Sequence, residues 1–113
     1  MVRKVVIVGS ERALASNMGF VLGIERAGFG HCQVVASLGE VEPRADLVVI
    51  FTSVEGEQDA IRDYIERWGL LPPVLFLSVR IRPVMREQDR YLSYSRLSVN
   101  SLLGMMRFVL GEK

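Results

Sequence analysis

Residues able to do chemistry are few and fall in short clusters. Gly9-Ser10-Glu11, Phe51-Thr52-Ser53, Ser78 and Tyr94-Ser95 each follow an apolar run, and Glu11 is the one carboxylate among them. Hydroxyls at such places can hold a small anion with backbone N–H groups, but a serine nucleophile needs a base and an orienting partner. None of these clusters supplies that pair. His31 and Cys32 are the single histidine and single cysteine, and as neighbours on a strand they point to opposite faces. No nucleophile and base pair, zinc site or internal disulfide is expected from them. Only Lys4 and Lys113 are lysines, so phosphate-loop and Schiff-base lysine chemistry is excluded from the interior.

The elements that must position these residues read clearly. Lys4 to Val8 (KVVIV), Asp46 to Thr52 (DLVVIFT) and Val74 to Val79 (VLFLSV) are short, β-branched and uniformly apolar, the pattern of strands covered on both faces. Gln33 to Leu38 reads as a second strand and Tyr91 to Tyr94 as a fifth, more exposed one. Helices are expected from a Ser10 cap through Leu14, Met18, Val21, Leu22 and Ile24, and through Ile61, Tyr64, Ile65 and Trp68. A last helix spans Val99 to Leu110 after a Ser98 cap. Gly39 to Ala45 contains Pro43 and leaves room for one helical turn at most. Pro83 stands at a possible first helical position within the polar stretch Arg80 to Arg90. Alternating strands and helices imply βαβ units and hence a three-layer, doubly wound, mostly parallel α/β sheet of five strands in one domain over residues 1–113.

Composition narrows the function. The chain has 113 residues, half of them apolar, with 14 basic and 13 acidic side chains for a net charge of +1. That balance gives no electrostatic footprint for nucleic acid or an anionic membrane. No apolar stretch has the length of a membrane span and the N-terminal run is too short for a signal peptide, so a cytoplasmic protein is expected.

KVVIVGSE, ADLVVIFTSVEG, PPVLFLSV and RYLSYSRLSVNSLL, in this order, resemble the receiver domains of bacterial response regulators in two-component signalling. LLPPVLFLS and SRLSVNSLL are similar to the N-terminal receivers of enhancer-binding regulators of flagellar genes. In that family an acidic pair follows the first strand, an aspartate ends the third, a threonine or serine the fourth and a lysine the fifth. Gly9 and Ser10, Phe51, Ser78 and Tyr94 occupy these positions here, and only Ser78 matches. Phosphoryl transfer to a carboxylate needs the nucleophile, Mg²⁺ on hard oxygens and an opposing cation. Phe51 cannot accept a phosphoryl group and Glu11 alone is a poor Mg²⁺ site. The resemblance therefore implies a degenerate phosphoacceptor pocket of Gly9, Ser10, Glu11, Phe51, Thr52, Ser78 and Tyr94, with no metal, no cofactor and no enzymatic activity. It also implies a flavodoxin-like topology, from which this chain departs: the segment after the second strand and the span from Ser78 to Tyr94 are shorter than in a usual receiver, so shortened second and fourth helices are expected.

A pseudo-receiver would act through protein contacts in transcription regulation, as a homodimer or on its own effector domain beyond Lys113. On a helical wheel Leu102, Leu103, Met106 and Leu110 cluster within roughly 60° of Val99, while Met105 and Phe108 fall opposite. Met105, Phe108 and Tyr91 are the expected interface. Arg80, Arg82, Arg86, Arg90 and Arg96 surround Glu87 and Asp89, a pattern expected to form a solvated, salt-bridged loop. The alternative is a flavodoxin-like domain that holds a small anion or nucleotide on the serine-rich rim.

Overall fold

A computed structural model describes residues 3–111. Five strands form one all-parallel sheet in the order β2-β1-β3-β4-β5: β1 (Lys4–Val8), β2 (His31–Val35), β3 (Leu47–Ile50), β4 (Val74–Ser78) and β5 (Arg90–Ser93). The three apolar runs become the central strands. Their period of two sends alternate side chains to opposite layers. Val5, Ile7, Leu47, Val49, Leu75 and Leu77 pack under helices α1 (Glu11–Ser16), α2 (Met18–Arg26) and α4 (Val99–Val109). Val6, Val8, Val48, Ile50, Val74 and Phe76 pack on the other side under α3 (Glu57–Glu66). The result is the expected three-layer, flavodoxin-like α/β architecture.

The departures are local and have physical causes. The first helix divides at Asn17, whose side-chain amide donates to the Ala13 carbonyl at 2.7 Å. A side chain bonding back four residues competes with the backbone ladder, and the chain restarts as α2. β2 starts two residues earlier than expected because the His31 N–H donates to the Arg3 carbonyl at 2.8 Å. Gly30 makes that approach possible: its φ is +112° and an added Cβ would lie 2.5 Å from the Arg3 oxygen.

Of the two helices expected to be shortened, the one after β2 is reduced to a single turn and the one after β4 is absent. Between β2 and β3 there is a single 3₁₀ turn, Leu38–Glu40, closed by Glu40, whose carboxylate accepts from the Ala36 and Ser37 N–H groups at 3.1 Å. Between β4 and β5 the chain forms no helix. Pro83 does not start one and is buried in an irregular segment that runs over residues 79–89. Among the described residues α3 is therefore the one α-helix on its layer, while the opposite layer has three.

Candidate functional site

In an open parallel sheet, ligands gather beyond the carboxyl ends of the strands where the winding direction reverses. With this strand order the reversal lies between β1 and β3. A crevice of about 220 Å³ opens there, bounded by Gly9 and Ser10 after β1, Ser37 after β2, and Phe51 to Ser53 after β3. Its remaining wall is α3, which contributes Asp59 and Asp63.

Each rim residue already has work within the fold. The Gly9 N–H donates to the Val35 carbonyl at 3.1 Å, and an added Cβ would sit 3.3 Å from the Phe51 carbonyl oxygen. Ser10 caps α1, its Oγ accepting from the Ala13 N–H at 3.2 Å. Glu11 stands exposed in the first turn of α1 and does not line the crevice. Phe51 is buried in the α2 and α4 layer, stacked 6.4 Å from Phe20, which in turn lies 6.2 Å from Tyr94.

Thr52 ties β3 to its neighbours. Its Oγ1 donates to the Leu77 carbonyl at 2.8 Å and its N–H donates to the Tyr94 hydroxyl at 3.1 Å. Burial holds the Tyr94 phenol well above its ordinary pKa, although the Thr52 hydrogen bond works in the other direction. Ser78 is fully buried and lies outside the crevice. Its Oγ donates to the Ile81 carbonyl at 2.5 Å and sits 3.0 Å from the Tyr91 hydroxyl. Gly9, Ser10, Phe51 and Thr52 thus share one crevice, Tyr94 joins it through Thr52, and Glu11 and Ser78 do not.

The expectation that Glu11 would be the only carboxylate of the rim is corrected by α3. Asp59 and Asp63 face the crevice, and Glu57 is wholly buried beside the end of β4. Its Oε1 accepts from the Val79 N–H at 2.6 Å and the Arg80 N–H at 3.2 Å, while Oε2 has no hydrogen-bond partner. Sequence reasoning missed Glu57 because an acidic residue in the first turn of a helix is ordinary dipole chemistry on an exposed surface. Nothing in the local pattern marks its partners, which are 22 and 23 positions away.

The expected interface residues separate. The helical wheel places Met105 and Phe108 together opposite the core, but Met105 is half-buried against the α2 and α4 core and only Phe108 is exposed, at 65%. Tyr91 packs on the opposite layer. Phe108 and Tyr91 each carry an arginine: the Arg90 guanidinium lies 5.9 Å from the Phe108 ring and that of Arg82 lies 5.7 Å from Tyr91. Of the arginine cluster, Arg80, Arg82 and Arg96 are exposed as expected of a solvated loop, but Arg86 is not. Asp89 is buried and paired with Arg86 at 2.6 Å, and Glu87 forms no salt bridge among the described residues.

Among the described residues no group of three or more metal-binding side chains converges, and no helix is long and apolar enough to cross a membrane. Compared with known proteins, the chain matches no protein-family model and no curated sequence.

Proposed function

We propose that this chain is a pseudo-receiver, a domain that signals by protein contact and performs no phosphoryl chemistry. One observation supports this most: the centre of the crevice floor is committed to packing. Phe51 stands at the end of β3 with its ring in the core, and Tyr94 reaches from the β5 side to accept the Thr52 N–H. The positions where a nucleophile and an opposing cation would stand hold an apolar ring and a neutral phenol. The exposed Phe108 and the half-buried Met105, on the helix that follows β5, are the surface proposed for a second copy or an effector domain.

Two measurements test this reading. Beryllofluoride with Mg²⁺ should leave the amide resonances of residues 9–11 and 51–53 unshifted, and specific shifts there would overturn it. Sedimentation should show wild-type chains associating and the Met105→Glu, Phe108→Glu double variant running as a monomer. If wild type and variant both remain monomeric at high concentration, self-association fails.

The open crevice supports a second reading, a small-ligand site. Asp59 and Asp63 on one wall favour an amine-bearing or hydroxyl-rich compound over the anion or nucleotide expected from the hydroxyls alone. Thermal stabilisation by such compounds, and not by phosphates, would favour this reading over the first.

A further inference from the structure

We infer that the turn after β4 is an anion seat and that Glu57 is its built-in occupant. Glutamate is among the residues least often fully buried, and a buried carboxylate survives only when charge and hydrogen bonds meet it. Here two successive backbone N–H groups, of Val79 and Arg80, converge on Oε1 at 2.6 and 3.2 Å. Consecutive backbone N–H groups aimed at one point form an anion-binding concavity. The Arg80 side chain closes over it. Its Nε lies 3.7 Å from Oε2, and its Nη2 is anchored on the Val54 carbonyl at 3.1 Å.

The occupant fits imperfectly. Oε2 is buried without a hydrogen bond, although the neighbouring backbone satisfies Oε1 twice. The seat belongs to the β4 turn and takes a carboxylate or an oxyanion of similar size, and in this fold that group arrives on α3. Its position gives it a task. Glu57 follows Gly56, whose N–H donates to the Ser53 Oγ at 3.2 Å on the crevice wall. Val79 and Arg80 begin the irregular segment that bears the exposed Val79 and Val84. Glu57 therefore couples the crevice wall to that segment, and withdrawing the carboxylate releases the segment's first residues. This coupling does not depend on the protein-contact reading.

Chemical rescue tests it. In Glu57→Ala the melting temperature should fall by about 5–10 °C. Formate or acetate, compared with chloride at equal ionic strength, should restore at least half of that loss and produce saturable shifts of the Val79 and Arg80 amides. Wild type should show neither effect. Adding Arg80→Ala should weaken the rescue. The inference is overturned if Glu57→Ala gains no more from formate or acetate than wild type does and the two amides stay unshifted. Should Glu57→Ala not fold, Glu57→Gln keeps the volume and removes the charge. The inference then requires hydrogen exchange at Val79 and Arg80 to quicken at least tenfold, and unchanged exchange overturns it. Association of copies is not a readout here, so its outcome bears only on the function proposed above.

Discussion

Strand β4 has a buried acidic residue beside each end, and the two are treated differently. At its amino end Asp89 is closed in on every side. Its Oδ1 accepts from the Val74 N–H at 2.8 Å and from Arg86 at 3.0 Å, while Oδ2 accepts from the Tyr64 hydroxyl and from Arg86 Nε at 2.6 Å. Arg86 spends its remaining donors on the carbonyls of Trp68, Leu71 and Pro72 at 2.6–2.9 Å, so all five guanidinium N–H groups are used. At the carboxyl end Glu57 satisfies one oxygen twice and leaves the other without a hydrogen bond, 3.7 Å from the Arg80 Nε. The lower cluster replaces a missing helix: it pins the close of segment 79–89 to α3 and to the turn before β4. The upper cluster holds the start of the same segment by a looser grip. Polar burial that is fully met fixes a structure, and burial partly met leaves a place where something can change.

The sharpest way to break this contrast is at the lower end. Arg86→Ala leaves Asp89 buried beside a lost cation and should cost about 3–5 kcal/mol of folding stability in urea titrations. A loss below about 1.5 kcal/mol would remove the distinction between the two ends. Replacing both partners by apolar residues, Arg86→Met with Asp89→Leu, should cost less than Arg86→Ala alone, because no buried charge is then left unpaired.

Tyr64→Phe comes next, at about 1–2 kcal/mol for the lost hydrogen bond to Asp89. Burial, with help from the Asp89 hydrogen bond, pushes the Tyr64 phenol from 10 up to about 12. The fold favours the protonated phenol, so its contribution is whole below the unfolded value near 10 and is lost as pH climbs through about 12. A shift of that size corresponds to about 2–3 kcal/mol. Wild type should lose that much more than Tyr64→Phe across this window in alkaline unfolding titrations, and parallel curves would refute the assignment.

How much of this was legible in the sequence follows from where each signal resides. Runs such as KVVIV and LVVI announce central strands because both faces of a covered parallel strand must be apolar. Helix α3 is legible from Ile61, Tyr64 and Ile65, although Ile65 finishes 45% exposed because no helix flanks it. The hydroxyl crevice is legible for the same reason, since Gly9, Ser10 and Thr52 sit at strand ends. Asn17, Glu57, Arg86 and Asp89 were not legible. A side chain that can face water or the backbone declares no preference locally, and the partners of the last three lie up to 25 positions away. The apolar pattern chooses the fold, while long-range partners decide which polar residues are drawn inside.

The smallest effect is expected at the rim. Tyr94→Phe removes the acceptor of the Thr52 N–H, a bond of 3.1 Å, and leaves the Phe20 and Phe51 packing in place. Thr52, Arg12 and Tyr94 also line a shallow hollow open to solvent, so water can take over the freed N–H. The cost should be about 0.5–1 kcal/mol, below that of Tyr64→Phe, because an N–H that reaches water avoids the penalty of a buried unmet donor. The two phenols are chemically alike, and both are held above their ordinary pKa by burial. Any difference between the two variants in urea unfolding therefore measures the closure of each end of the sheet. If Tyr94→Phe costs as much as Tyr64→Phe, the upper end is as tightly met as the lower, and the crevice is a packed end of the fold with no freedom to respond.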